Sequence, residues 1–497
     1  MPGTGPSRDA ALALDAEAFR TLGHALVDQV AALLAAVPGG PVTPDEAPSA
    51  VRAALALDGP LPEHGTAAGP LLAETAARLF DHSLFNAHPR FFGYITASPA
   101  PIGILGDLLA SALNANVGAR VLSPAATEVE TQAVRWIAQL IGFPAEAAGL
   151  MVSGGNMANL VCFWAARAAR AGWDVRQEGS GPGTPRLRVY GSAETHTWLQ
   201  KAADLSGLGT SSIRWIPTDA GQRMDVEALR RAIAADVAAG DRPMLVVGTA
   251  GTVSTGAVDP LPEIAAVCRE HAVWFHVDGA YGGFAAAVPG APADLAGIRL
   301  ADSVAVDPHK WLYAPLEAGC ALVRDAAQLR AAFAYHPPYY HFEEQVTNYV
   351  DYGPQNSRGF RALKVWLALR QAGAAGYRTM IGDDMRLART LADAVERTPE
   401  LALLTHSLSI TTFRYVPAAL AAGVGEPSTE ARLDAINRAL LDRLQRGGEL
   451  FVSNAVVGGR YALRACIVNF RTTEADIEAV PGIVVRVGGE VAAAATR

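Results

Sequence analysis

The sequence predicts an α/β fold built on a largely parallel central sheet covered on both faces. Between His88 and Val323, short β-branched runs alternate with helical stretches. The runs are almost continuously apolar, as strands buried on both sides must be. The chain is also long enough, at 497 residues with half of them hydrophobic and 18% charged, to bury a sizeable core. That composition excludes a disordered or fibrous protein.

The elements follow in order. Phe19, Leu22, Leu26, Val30, Leu33 and Val37 recur at spacings of three and four, which predicts an amphipathic helix ended by Pro38-Gly39-Gly40-Pro41. Too short for a core of its own, this segment packs on its own chain or on an oligomer partner. Residues 1–85 are therefore read as an N-terminal helical dimerisation segment. Leu187 to Tyr190, Ile213 to Ile216, Met244 to Val247, Val273 to Val277, Ser303 to Val306 and Ala321 to Val323 read as strands. Asp225 to Ala239 and Pro262 to His271 read as connecting helices. From Phe333 to Ser357 the chain is aromatic and irregular, the character of a functional loop or lid. A helix over Arg361 to Ala372 closes a large cofactor-binding region spanning 86–372. Strand-like Ser409 to Tyr415 and Ala462 to Phe470 place a small α+β domain at 373–497.

Forty-one Lys and Arg against 49 Asp and Glu give a net charge of −8, with no basic run. A polyanion such as nucleic acid, or an anionic membrane surface, is thus not an expected partner. Early charges at Arg8, Asp9, Asp15 and Glu17 argue against a secretory signal, and no uninterrupted apolar stretch of spanning length is found. A soluble cytoplasmic protein is expected. Cys162, Cys268, Cys320 and Cys466 are too scattered for a disulfide framework or a zinc site, so no metal is expected.

In open α/β sheets, ligands bind beyond the carboxyl ends of the strands, so the residues just after each run bear on function. The run Val273 to Val277 enters Asp278-Gly279-Ala280-Tyr281, and an acid there requires a cationic partner. One crossover later, Ser303 to Val306 enters Asp307-Pro308-His309-Lys310-Trp311, bringing Lys310 and His309 to the same crevice. A lysine so placed is a surface charge, an ion-pair partner or a nucleophilic amine; desolvation beside Trp311 favours the last. Ser153-Gly154-Gly155-Asn156 precedes a helical run, and small residues at a helix start leave backbone N–H groups for a phosphate. On its own that is no more than a glycine-capped turn. Leu187 to Tyr190 leads into Gly191-Ser192-Ala193-Glu194-Thr195-His196, and Thr249 holds the corresponding place after Met244 to Gly248. An isolated histidine is more often structural; together with Asp278 and Lys310 it gains a chemical reading. Pyridoxal 5'-phosphate needs this whole set: a Lys for a Schiff base, an acid for the pyridinium nitrogen, a phosphate cradle and a flat group against the ring.

His-Lys-Trp after a strand, with His276-Val277-Asp278-Gly279-Ala280-Tyr281-Gly282-Gly283 upstream, resembles the pyridoxal-phosphate-dependent group II amino-acid decarboxylases. The match runs from His88-Pro89-Arg90-Phe91 to Arg361-Ala362-Leu363-Lys364-Val365-Trp366, more than half the chain. The resemblance implies the aspartate aminotransferase fold (fold type I) and an obligate homodimer whose active site is shared between subunits. It implies that Lys310 is the Schiff-base lysine, that Asp278 pairs with the pyridinium nitrogen, that His196 stacks on the ring and that Ala280 lies against its other face. Gly154, Gly155 and Asn156 hold the phosphate with help from His309, and Thr249 lies near the ring. A loop tyrosine, Tyr339 with Tyr340 as the competing match, protonates the substrate Cα. Ser-Gly-Gly-Asn departs from the Gly-Ser-Ala-Ser of the animal aromatic decarboxylases, and Ile95 replaces an aromatic residue of their substrate pocket. Phe91, Phe92, Tyr94 and Trp198 are expected to favour an aromatic substrate.

The expected activity is decarboxylation of an L-amino acid to the amine and CO2. The competing reading on the same scaffold is an aldehyde synthase, in which O2 intercepts the carbanion. From another class, a non-catalytic binding protein retaining the fold is disfavoured by the joint presence of Lys310, Asp278 and His196.

Overall fold

The computed structural model describes residues 10–338 and 346–495. Its centre is a seven-stranded sheet of β1 (Ala148–Val152), β2 (Leu187–Ser192), β3 (Ile213–Ile216), β4 (Arg242–Thr249), β5 (Trp274–Asp278), β6 (Ser303–Val306) and β7 (Gly319–Val323). The strands lie in the order β1-β7-β6-β5-β4-β2-β3. β6, β5, β4, β2 and β3 are mutually parallel, whereas β7 runs against both β6 and β1. Reversal of β7 therefore leaves β1 pointing the same way as β6. The carboxyl ends of β1, β6, β5, β4 and β2 all meet at one edge, and β7 begins there.

Every residue of β2, β5, β6 and β7 is buried, which requires helical cover on both faces. The sequence predicts β2, β5 and β6 because Val and aromatic residues mark them, and β7 through its apolar Ala321-Leu322-Val323. It does not predict β1, whose Ala148-Gly149-Leu150-Met151-Val152 carries a single β-branched residue. Gly149 is required at this place: a Cβ there would lie 2.3 Å from the Ala321 carbonyl oxygen of β7. The helix after β1 begins at Gly155, within the Ser153-Gly154-Gly155-Asn156 stretch itself, and runs to Arg170.

The helix Ala362–Glu396 passes from the first core to a second, breaking at Gly373, whose φ of 63° is left-handed. The second core surrounds an antiparallel sheet of β8 (Leu401–Ser407), β9 (Ile410–Tyr415), β10 (Ser453–Val457) and β11 (Arg460–Cys466), in the order β10-β11-β9-β8. Phe92 joins this second core, and Phe91 stacks on Phe451 with ring centroids 5.0 Å apart.

Near the N-terminus, Asp15 caps the helix Ala16–Ala36 by accepting from the Ala18 N–H. This helix buries none of its residues, and Phe19 is 61% exposed. The stretch Ala16–Gly39 is long and apolar enough to cross a membrane by length and composition. Glu17, Arg20 and Asp28 interrupt it, which is why a search for uninterrupted apolar runs passes over it. The helix Pro101–Leu113 likewise exposes Leu105, Leu108, Leu109 and Leu113. Its other side lies so close to the helix Ala362–Glu396 that a Cβ at Gly106 would stand 3.0 Å from the Lys364 Cα.

Candidate active site

The strand ends bring Gly154, Gly155, Asn156, His196 and Thr249 to the wall of one crevice. Asp278, Ala280, His309 and Lys310 complete the same wall. Tyr339 and its competitor Tyr340 lie outside the described residues.

Asp278 closes β5 at 6% exposure. Its Oδ2 accepts the indole N–H of Trp198 at 2.7 Å, and its Oδ1 accepts the Ala280 backbone N–H at 3.1 Å. Among the described residues no cation lies within ion-pair distance of it, so these residues do not supply the positive partner expected from the sequence. Beneath it on the same strand, burial pushes the His276 imidazole down to about 4 and keeps it neutral. The Trp274 indole donates to Ser303 Oγ at 2.8 Å, which leaves the Ser303 hydroxyl to donate to His276 Nδ1, also at 2.8 Å. His276 Nε2 then carries the proton and donates to Asn159 Oδ1 at 2.7 Å.

Lys310 follows β6 by one turn. Its Nζ lies 3.0 Å from Asp307 Oδ2, while Trp311 points away and gives its indole N–H to Asp384 at 3.0 Å. The amine is thus paired with a carboxylate, not desolvated against Trp311 as the sequence suggested. Asp384 also accepts the Tyr313 hydroxyl at 2.8 Å, and burial pushes its carboxyl up to about 7. These contacts pin the segment after Lys310 to the helix Ala362–Glu396. Asp307 is a charged site residue that sequence reading missed. The rule applied to Asp278, an acid at the mouth of a buried strand, would have found it.

His196 is exposed into the crevice; its Nδ1 accepts the Trp198 backbone N–H at 3.2 Å, which leaves the proton of the neutral ring on Nε2. Burial lowers its basicity, opposed by the nearby Asp278 charge. His309 donates from Nδ1 to the Ala318 carbonyl at 2.7 Å, and burial lowers its basicity too. Thr249 is fixed by its backbone: its N–H donates to Asp259 Oδ2 at 2.8 Å, and burial pushes Asp259 up to about 6.

The helix Gly155–Arg170 starts without a side-chain cap, so its first N–H groups are free for an anion. Gly154 has a φ of 97°, and a Cβ on it would stand 3.3 Å from His309 Cε1. A Cβ on Gly155 would stand 2.6 Å from Asp307 Oδ2 and 3.2 Å from the Ala280 Cβ. Gly319, at the start of β7, is pressed against the same turn, its would-be Cβ 2.5 Å from the Gly154 carbonyl carbon. The three glycines therefore allow a close approach that larger residues would force apart.

Two buried crevice oxygens, Thr249 Oγ1 and Asp307 Oδ1, have no hydrogen-bond partner. With Asp278 lacking a cation and the helix start lacking a cap, the donor set fits pyridoxal 5'-phosphate: a cationic ring nitrogen, a polar ring substituent, an aldehyde and a phosphate. None of the four aromatic residues expected to shape a substrate pocket lines this crevice. Phe92 and Phe91 turn into the interior around the second sheet, and Trp198 lies beneath Asp278 at 1% exposure. Tyr94 alone remains 62% exposed, held at a left-handed φ of 51°.

The sequence profile of the pyridoxal-dependent decarboxylase conserved domain matches residues 55–416. An aromatic-L-amino-acid decarboxylase of Bacillus atrophaeus is 32% identical over 471 residues, covering 94% of each chain. A phenylacetaldehyde synthase of a Rosa hybrid cultivar is 30% identical over 93% of this chain and 92% of its own. Among solved structures, Oryza sativa TDC with PLP and tryptamine superimposes with a TM-score of 0.88 at 31% identity, over 96% of this chain and 99% of that one.

Proposed function

The chain belongs to the pyridoxal-dependent decarboxylase family, uses pyridoxal 5'-phosphate and decarboxylates an L-amino acid; from that premise we propose that Lys310, Asp278 and His196 carry the reaction on an aromatic substrate. The observation that carries this reading is the convergence of nine sequence-predicted residues on one crevice, with Asp278 buried there without a cation.

Pyridoxal 5'-phosphate supplies the electron sink that takes the Cα–carboxylate bonding pair as CO2 leaves. Lys310 Nζ would hold its aldehyde carbon and yield that place to the substrate amine. Asp278, oriented by its two donors, would pair with the ring nitrogen and keep it protonated. The free N–H groups at Gly155 and Asn156 would bind the phosphate, with His309 alongside. Ala280 and His196 line the walls on which the ring would rest. His196, with its proton on Nε2, is placed to relay a proton, and Tyr339 or Tyr340 would deliver one to Cα.

Aromatic substrates are supported by the decarboxylase relative of Bacillus atrophaeus and by the tryptamine-bound rice structure. The second reading, aldehyde formation with O2 as electron acceptor, is supported by the similarity to a phenylacetaldehyde synthase. Retention of His196 and of tyrosines at 339 and 340 favours the amine. The exposed apolar side chains of the helices Ala16–Ala36 and Pro101–Leu113 support a homodimer formed through those faces, with the first helix as an arm across the partner rather than a membrane span. The four cysteines, all free and buried, support a reducing, cytoplasmic setting.

The test is a screen of tyrosine, tryptophan, phenylalanine, dopa and 5-hydroxytryptophan with the cofactor-loaded enzyme, following CO2, amine, aldehyde and peroxide. Amine equal to CO2 is expected; peroxide equal to CO2 would replace this reading with the second. Borohydride reduction and peptide mass mapping should find the cofactor on Lys310, and an unmodified Lys310 in loaded protein would refute its role.

A further inference from the structure

Trp198 stands outside the crevice lining yet touches two residues that face it. It opens the helix Trp198–Leu205, whose buried side chains Trp198, Leu199, Ala202 and Ala203 turn toward the sheet. That inward turn sends the indole under the crevice floor. Its Nε1–H donates to Asp278 Oδ2 at 2.7 Å, while its backbone N–H donates to His196 Nδ1 at 3.2 Å. The ring stands edge-on to His276, with centroids 5.7 Å apart and planes at 84°. One residue therefore sets the rotation of the Asp278 carboxylate and the tautomer of the His196 imidazole.

We infer that Trp198 is a positioning residue for the decarboxylation, acting through Asp278. Among the described residues no cation orients Asp278, and two donors hold its plane: the Ala280 backbone N–H, which side-chain truncation leaves in place, and the Trp198 indole. A hydrogen bond to a charged acceptor is short and directional, and it keeps a buried carboxylate aimed before any ligand arrives. Without the indole N–H, the carboxylate turns about its side-chain bonds and must be ordered anew by the bound ring. Cofactor affinity then falls, and so does the rate of the step that depends on a correctly placed charge. The substrate's own binding contacts are untouched.

The inference rests on the proposed role of Asp278, and its test separates the two. Trp198→Phe removes the N–H and keeps a large aromatic side chain. In cofactor-free protein titrated with pyridoxal 5'-phosphate, affinity should fall about tenfold, the scale of a lost hydrogen bond to a charged group. In steady-state assays kcat should fall with KM for the amino acid unchanged. In an Asp278→Ala background the same substitution should have no further effect on affinity. Should the phenylalanine variant not fold, site-specific replacement of Trp198 by 3-benzothienylalanine, which exchanges the N–H for sulfur at the same ring size, gives the same comparison. Equal losses in both backgrounds would mean that Trp198 acts by packing alone, and wild-type affinity would mean that it does not act; either overturns the inference. Failure of the underlying reading looks different: Asp278→Ala itself would bind the cofactor and turn over like wild type.

Discussion

Lys310 Nζ sits 3.0 Å from Asp307 Oδ2, and Asp307 is 2% exposed with its other oxygen unpartnered. The pair holds the lysine amine at the crevice wall. Asp307→Asn leaves that ammonium without its counter-ion. Urea unfolding of the cofactor-free variant should show a loss of about 2 kcal/mol, the partial exposure of the lysine keeping the figure below that of a fully buried pair. Unchanged stability would show that water already screens the contact.

Removing Asp278 should be far more damaging to rate than to fold. Asp278→Ala frees the Trp198 and Ala280 N–H groups, at a cost of about 1 to 3 kcal/mol. It should also lower kcat by at least ~100-fold, the scale of losing a preorganised charge. Thermal unfolding alongside steady-state kinetics measures both. A variant with near-native kcat would remove Asp278 from the chemistry.

Tyr339 and Tyr340 are separable by product analysis. The tyrosine that protonates Cα should, as Phe, lose about 100-fold or more in amine formation and release aldehyde with hydrogen peroxide. The other variant should keep amine as its product. Tyr339→Phe is expected to be the one that switches.

Asp384 gives a signed pH dependence. Burial raises its carboxyl from the ordinary value to about 7, so the folded protein binds a proton that the unfolded chain releases. It therefore contributes stability that is complete in acid, below the unfolded value, and is lost as pH rises to about 7. Relative to Asp384→Asn, the wild type should lose stability between pH 4 and 7 and hold a constant difference above. Urea midpoints at pH 5, 6, 7 and 8 check this, and parallel curves would contradict it.

Much of this arrangement is legible in the sequence because it follows from local rules. Ile213–Ile216 and Ser303–Val306 begin and end where β-branched content places them, and Asp225 caps its helix by accepting from the Ala228 N–H. Asp278 and Lys310 are readable because a strand end fixes where a side chain emerges. What the sequence conceals depends on tertiary partners. β1 exists because Gly149 lets it press against β7, a matter of fit that composition does not record. The inward turn of Trp198 and Phe92 is hidden for the same reason. Each reads equally well from sequence as pocket lining or as core, and only the neighbouring sheet decides.

The reversed direction of β7 has a mechanical consequence. The strand leaves the crevice beside the turn that carries Lys310 and starts with Gly319 wedged under Gly154, so the tether and the anion seat share one hairpin and its neighbour. A cofactor seated as proposed, on Lys310 at one end and on the turn at Gly155 at the other, would be held by a single stiff bracket. Side-chain bulk added at Gly319 would push on the Gly154 backbone and so shift the proposed phosphate seat relative to Lys310, which makes that glycine a lever on cofactor retention.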